Sequence, residues 1–535
     1  MIAATVSSPH RFPTTPDPAT TIPELVARRT ARRPGDIAVI DGTTRLTAAE
    51  LLRASERAAA ALARAGVGRG DVVVLQLPNR WQTIAAMQGV WLLGGIATPV
   101  TPIYRTGELT RIFADASPRA VVVPGEHRGH DYAAQARAAL AAAGAAAPVL
   151  TAEGLTAEGL TAEGILDARP EAAPSAHDRA PASPDDVAML MFTSGTTGRA
   201  KGVLHSHRTL LHESASLARL FGLERDAVFM PSPLTHVTGL LYGVLLPLLV
   251  DGSVVLQDRW DPASAVEAIE RHGCTFTVAA TPFLRGLADA YAERPGSSRL
   301  RVFVCGGADI PPELVRRATA ILGAEVARTY GSTEMPTLAI VPSELPAPER
   351  WESEGRVIGA ARGRLADAVD GVGELEVIGP ELFVGYLDPA DNEPAFTADG
   401  WFRTGDLARL DDGLLRIAGR SKDLIIRGGE NISSKEIEDV LLSEPAIADV
   451  AVVAIPDDTM GERACAVVVP APGSRAPALA ELAGLLDAAG LAAQKRPEAL
   501  LLVDELPRTP SGKIQKFLVR ERVRDALAEG RVERR

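Results

Sequence analysis

Met189-Leu190-Met191-Phe192-Thr193-Ser194-Gly195-Thr196-Thr197-Gly198-Arg199-Ala200-Lys201-Gly202-Val203 is the stretch whose reading decides the fold. An apolar, strand-like run from Val187 to Phe192 breaks abruptly into hydroxyls and glycines. Glycine frees the backbone to fold round a compact anion with its N–H groups exposed, which is how proteins hold phosphate. Thr193, Ser194, Thr196 and Thr197 add hydroxyl donors, and Lys201 adds a mobile positive charge of the kind that balances a polyphosphate. The order fails the P-loop pattern G-x-x-x-x-G-K-[ST], because Ala200 stands where the second glycine belongs and Gly202 follows the lysine. An ordinary P-loop NTPase is therefore disfavoured. A plain surface loop is the competing reading, since Gly, Ser and Thr mark most loops.

Further along, Arg301 to Cys305 reads as a strand ending in Gly306-Gly307-Ala308, the kind of sheet end where ligands sit in open α/β folds. Thr329-Tyr330-Gly331-Ser332-Thr333-Glu334 offers an aromatic face, a glycine for close approach to a flat base, and an oxygen ligand suited to Mg²⁺. Taken alone, Glu334 is an ordinary solvated loop acid and Asp406, in Thr404-Gly405-Asp406, an ordinary turn former.

Together these segments resemble the adenylate-forming superfamily of acyl-CoA synthetases, peptide-synthetase adenylation domains and luciferases. Thr193 to Gly198 with Lys201 and Gly202 is similar to its phosphate-binding signature, and Gly306-Gly307-Ala308, Tyr330-Gly331, Thr333-Glu334, Thr404-Gly405-Asp406, Gly419-Arg420-Ser421-Lys422-Asp423 and Pro510-Ser511-Gly512-Lys513 follow in the family's order. The resemblance implies an α/β fold, with a large N-terminal domain of mixed sheets and helices over residues 1–421 and a small mobile α+β domain over 422–535. It implies ATP and CoA as co-substrates and Mg²⁺ on Glu334. It assigns Asp406 to the ribose hydroxyls, Arg420 to ribose or phosphate, Lys422 to a hinge, Lys513 to the bond-forming step, and Gly429 to the loop that enters the site for thioester formation. Ser434 stands near a place where relatives often have proline. Met230 to Leu240, with His236, Val237, Gly239 and Leu240, resembles the segment bordering the acyl pocket, which Met335 and Pro336 extend.

Composition agrees. The 535 residues exceed one ordinary core. At 46% hydrophobic and 23% charged, the chain has a globular balance. The longest apolar run, Leu240 to Val250, is too short to span a bilayer, and the first ten residues lack the basic start and apolar core of a secretory signal. A cytoplasmic protein is expected. A net charge of −12 without a basic run disfavours nucleic acid. Three scattered cysteines, Cys274, Cys305 and Cys465, make neither a disulfide framework nor a metal pair and read as buried small hydrophobes. His205 and His207 alternate as on a strand, but without further ligands nearby they read as structural. The partners expected are small molecules; a homodimer is allowed and not demanded.

The alternation of helix and strand from Ile22 to Val123 predicts an α/β layer structure. The alanine-rich segment from Ala133, three copies of Thr-Ala-Glu-Gly-Leu/Ile from Thr151 and the Pro/Ala/Ser stretch to Pro184 read as a mobile surface connection. Between Met230 and Val250 there is no Asp, Glu, Lys or Arg, which predicts an uncharged, largely apolar carboxylic acid: medium-chain, alicyclic or aromatic. An adenylate-former with another acceptor, such as an amine, a carrier-protein thiol or nitrite-type chemistry, is the alternative within the fold. A catalytically dead scaffold is the alternative outside it, disfavoured by the presence of Lys201, Glu334, Asp406, Arg420 and Lys513 together.

Overall fold

The computed structural model describes residues 20–152, 182–193, 200–307, 310–420, 423–427, 430–457, 460–489, 491, 493–509 and 512–534. The chain forms two compact units, the first of residues 1–193, 201–362 and 378–394, the second of 194–200, 363–377 and 395–535.

In the first unit, Val72–Leu75, Ile96–Pro99 and Ala120–Val123 are parallel neighbours buried on every residue, which is why they read as unbroken apolar runs. Among the described residues they belong to a seven-stranded sheet. Its other end is a hairpin, Val187–Thr193 against Lys201–Ser206, flanked by Gly385–Tyr386. A second sheet runs from Gly355–Val357 through Ala339–Ile340, Glu325–Tyr330, Val302–Cys305, Phe276–Ala279, Ala227–Met230, Ser253–Leu256 and Ile37–Asp41 to Thr44–Thr47. Its middle strands are parallel and carry Phe229, Phe276 and Phe303 fully inside.

Helices cover these sheets where small residues let them. Ala48–Arg64 is capped by Thr47 and Glu50 in a reciprocal box and buries a stripe of alanines. Trp81–Leu92 lies so close to it that a methyl group on Gly89 would meet the Ala58 side chain at 2.8 Å. The alanine-rich segment is not all connection: Tyr132–Ala142 is a helix, and Val149–Thr151 pairs in parallel with Val121 to Val123. Alanine, the best helix former, supplies that helix without bulk. The repeats that follow lie outside the described residues.

In the second unit, Arg362–Val369, Val372–Ile378, Phe402–Asp411 and Leu414–Arg420 are neighbours in that order, with a turn at Asp411-Asp412-Gly413 where Asp412 and Gly413 both take positive φ. The remainder is α+β. Gly461–Pro470 is the central strand, paired antiparallel with Ile447–Asp457 and parallel with Ala499–Leu502. Ile437 and Leu441, from Ser434–Leu441, and Leu482 and Leu486, from Leu479–Ala488, enter one apolar cluster with this sheet. Val519 and Val523, from Lys516–Ala528, enter another. No helix among the described residues is long and apolar enough to cross a membrane. All three cysteines are buried and unpaired, and burial pushes each thiol up to about 12.

Candidate active site

The two strands that flank the glycine-hydroxyl stretch, Val187–Thr193 and Lys201–Ser206, are neighbours in one sheet. Antiparallel pairing holds Gly202 opposite Phe192 and closes with Lys201 opposite Thr193. Ser194, Gly195, Thr196, Thr197 and Gly198 lie outside the described residues. On the other edge of the Lys201–Ser206 strand, Val203 pairs with Tyr386, and the Leu387 N–H donates to the Gly202 carbonyl at 2.7 Å. This ladder brings two segments remote in sequence to one place. Lys201 Nζ sits 3.3 Å from Asp391 Oδ1 and 4.6 Å from the centre of the Tyr386 ring, within cation–π range. The Tyr386 hydroxyl donates to Glu334 Oε1 at 2.8 Å, and burial with the nearby Glu334 carboxylate pushes the phenol well above its ordinary range.

Glu334 owes its position to a tight turn. Ser332 N–H donates to the Met335 carbonyl at 2.8 Å, while Ser332 Oγ accepts from the N–H groups of Glu334 and Met335, each at 3.2 Å. Gly331 is obligatory for a structural reason, since a Cβ there would lie 1.9 Å from the Pro336 carbonyl oxygen. The carbonyl of Thr333 meets Nε2 of His205 at 2.8 Å, and the other ring nitrogen of His205 meets Thr209 Oγ1 at 2.9 Å. Burial pulls His205 down to about 4, so the ring is neutral and joins the Lys201–Ser206 strand to the Glu334 turn. His207 faces a different partner, accepting from the Ile22 N–H at 3.4 Å. Gly306 and Gly307 end the Val302–Cys305 strand, Gly307 with φ +83°, and Ala308 lies outside the described residues.

Met230 to Leu240 is held by Asn79, which sequence reading missed. Its side chain donates to the Ser232 carbonyl at 2.7 Å and accepts from the Leu234 N–H at 2.6 Å. His236 caps the short Val237–Gly239 helix through Nδ1, which accepts from Thr238 N–H at 3.4 Å. A Cβ on Gly239 would strike the Pro233 carbonyl at 2.0 Å, so this turn too depends on glycine. The chain then runs into a π-helix, Leu240–Leu245, whose six residues are all buried. Such wide turns recur at functional sites.

Behind it lies a polar cluster with no signal in the apolar sequence. Tyr242 donates to Glu213 Oε1 at 2.6 Å and shares a 2.8 Å hydrogen bond with Thr337 Oγ1. Burial pushes Glu213 up to about 7, and burial with the neighbouring Glu213 charge pushes Glu381 up to about 8. Glu381 Oε2 lies 3.8 Å from Nε2 of His212, which burial holds down to about 4. A methyl group on Gly379 would touch both Met335 Cε, at 2.9 Å, and Glu381 Oε2, at 3.0 Å.

Among the described residues no group of three or more His, Cys, Asp and Glu could by itself hold a metal ion. A single carboxylate such as Glu334, with the rest of the shell from phosphate and water, is the arrangement Mg²⁺ prefers.

In the second unit, the ladder between Phe402–Asp411 and Leu414–Arg420 places Asp406 directly opposite Arg420. Asp406 is buried, and its N–H donates to Thr404 Oγ1 at 3.1 Å. Lys513 is exposed on a loop in which the Thr509 N–H donates to the Lys513 carbonyl at 2.8 Å and the Lys513 N–H to Thr509 Oγ1 at 3.1 Å. Arg508 anchors that loop to Asp449 at 2.5 Å. Lys422 and Gly429 lie outside the described residues.

The model of the AMP-binding enzymes matches residues 26–387, and that of the AMP-binding enzyme C-terminal domain matches 436–513. A medium-chain fatty-acid–CoA ligase of Escherichia coli is 33% identical over 94% of this chain and 90% of its own. A sulfoacetate–CoA ligase of Cupriavidus necator is 35% identical over 94% and 98%. ATP-bound MatB from Rhodopseudomonas palustris superposes with a TM-score of 0.82 at 28% identity, covering 95% of this chain and 99% of that one.

Proposed function

Since the chain belongs to the AMP-binding enzymes and is an AMP-forming acid–CoA ligase, we propose that its acid is uncharged and largely apolar, whether medium-chain, alicyclic or aromatic. One observation carries this: the segment from Met230 to Val250 contains no Lys or Arg, and Leu234, Val237, Leu240, Leu241 and Val244 are all buried there. An acid with a second negative charge would lose its hydration without gaining a cation, at a cost of several kcal/mol, whereas each buried methylene gains about 0.8 kcal/mol. Overall identity does not choose between the two, because an apolar-acid ligase and a sulfoacetate ligase resemble the chain about equally.

A carboxylate is a poor electrophile because its leaving group would be oxide. Attack of its oxygen on the α-phosphorus of ATP forms the acyl adenylate and expels pyrophosphate; the CoA thiol then attacks the acyl carbon and expels AMP. Such chemistry is served by placement and charge stabilisation. In this reading Thr193 and the hydroxyls of Ser194, Thr196 and Thr197 hold phosphate, with Gly195 and Gly198 letting the backbone approach, and Lys201 balances the departing pyrophosphate. Glu334, beside Thr333, would hold Mg²⁺, which neutralises phosphate charge when bound. Gly306, Gly307, Ala308, Tyr330 and Gly331 flank the adenine. Asp406 takes the ribose hydroxyls, with Arg420 beside it. Lys513 spans carboxylate and α-phosphate. His236, Val237, Gly239, Leu240, Met335 and Pro336 border the acid.

Lys513 and Gly429 belong to one segment yet serve different half-reactions, so rotation of 422–535 about Lys422 against 1–421 would exchange them. A cytoplasmic setting belongs to the same proposal, supported by three unpaired cysteines. The test compares kcat/KM for octanoate, cyclohexanecarboxylate, benzoate, acetate and a dicarboxylate, with and without CoA. Preference for acetate or the dicarboxylate overturns the acid assignment. CoA-independent turnover to a non-thioester product would transfer the enzyme to another acceptor.

A further inference from the structure

Lys201 is not waiting in solvent. Its ammonium lies 3.3 Å from Asp391, with the two side chains 29% and 20% exposed, and against the face of Tyr386. Both partners come from one braced loop. Asp388 caps the short Pro389–Asp391 turn, its carboxylate accepting from the Ala390 N–H at 3.0 Å. Asn392 reaches back to clamp Tyr386, accepting from its N–H at 2.7 Å and donating to its carbonyl at 3.1 Å. Strand pairing of Val203 with Tyr386 fixes that loop to the very strand that begins at Lys201. The ion pair is thus set by backbone register as well as by two flexible side chains.

From this we infer that Asp391 is a positioning residue: a stand-in anion that holds Lys201 when no polyphosphate is present and competes with pyrophosphate for it. The inference rests on Lys201 being the polyphosphate lysine. Without Asp391, the carboxylate that remains in this network is Glu334, which accepts from the Tyr386 hydroxyl. An ammonium drawn to Glu334 would cancel the charge a metal needs. Tyr386 therefore acts as a spacer, offering its face to the cation and its hydroxyl to the carboxylate.

Entry of a polyphosphate moves Lys201 from a carboxylate to a phosphate oxygen, so the attraction to phosphate is offset by the attraction to Asp391 that is given up. Pyrophosphate then leaves with Asp391 ready to take the lysine back. A part-buried pair of this kind contributes up to about 1 kcal/mol, which corresponds to about a two- to fivefold effect on binding.

The experiment measures pyrophosphate as product inhibitor, together with KM for ATP and for the acid, in the full-length enzyme and in Asp391→Asn, Asp391→Glu, Lys201→Ala and the Lys201→Ala/Asp391→Asn double variant. The inhibition constant of pyrophosphate falls about two- to fivefold in Asp391→Asn, KM for ATP falls with it, KM for the acid stays, and Asp391→Glu restores the original values. The difference shrinks as ionic strength rises. In the Lys201→Ala background the second substitution changes nothing. An unchanged or raised inhibition constant in Asp391→Asn overturns the inference, as does a fall of equal size when Lys201 is absent. If Lys201→Ala alone leaves both ATP and pyrophosphate constants unaltered, the assignment of Lys201 itself fails, an outcome distinct from failure at Asp391.

Discussion

The Tyr386 hydroxyl donates to Glu334 Oε1 at 2.8 Å, joining residues 52 positions apart. A hydrogen bond to a charged acceptor is worth more than one between neutral groups, and this one also fixes which way the carboxylate faces. Tyr386→Phe should therefore keep the ring under Lys201 while releasing Glu334. The expected outcome is about a tenfold loss in kcat/KM for ATP, with a higher Mg²⁺ requirement, measured as pyrophosphate release across a Mg²⁺ titration. Unchanged Mg²⁺ dependence would refute the link.

Lys513→Ala should nearly abolish adenylate formation while CoA attack on a supplied acyl adenylate largely survives. The lysine sits exposed on a loop tied to the body of the second unit through Arg508 and Asp449, so its removal leaves that anchor intact. Equal loss of both half-reactions in a folded variant would contradict the division of labour. Lys422→Pro should do the reverse, sparing adenylation more than thioester formation, because proline fixes φ at the proposed hinge.

Asp406→Ala should act on the nucleotide. In the role proposed for it, one carboxylate would hold two ribose hydroxyls at about 1.5–3 kcal/mol per charge-assisted bond, so KM for ATP should rise at least about tenfold and KM for CoA much less. Steady-state kinetics with each substrate varied in turn would expose the opposite result, an unchanged ATP response.

The buried carboxyls Glu213 and Glu381 give stability a pH slope. Their folded values, about 7 and about 8, lie above the unfolded value near ~4.3, so across that window the native state keeps protons the unfolded chain has released. Their stabilisation is complete at low pH and is lost as pH rises through 7 and 8. His205, His207 and His212, held down to about 4, act oppositely, and their contribution is already complete above ~6.5. Thermal melts between pH 6.5 and 8.5 should show Tm falling, and Glu381→Gln should flatten the decline. A slope identical in that variant would assign it elsewhere.

What the sequence declares is whatever is contiguous in the chain. The hydroxyl-glycine loop, the Tyr330 to Glu334 turn and the Asp411 to Gly413 hairpin each stand out within a few residues, because backbone freedom and side-chain chemistry coincide there. Tyr386, Asp391 and Asn79 carry no such signal. They reach Glu334, Lys201 and the Ser232 to Leu234 backbone only through sheet pairing and loop packing that no local pattern encodes. Glu213 is hidden for another reason: on an amphipathic helix a glutamate reads as a solvent-facing position, and only the arrival of Tyr242 and Thr337 from two other segments makes its burial tolerable.

The three sealed cysteines bear on a hazard peculiar to this chemistry. An acyl adenylate will transfer its acyl group to any thiolate that reaches it, and the reaction requires a diffusible thiol to be brought to that mixed anhydride. With Cys274, Cys305 and Cys465 buried and each thiol pushed up to about 12, the protein's own sulfur is almost wholly protonated at neutral pH. The enzyme therefore offers its activated intermediate no internal rival to CoA. It should also retain activity after exposure to alkylating reagents or disulfides that silence enzymes with an accessible cysteine.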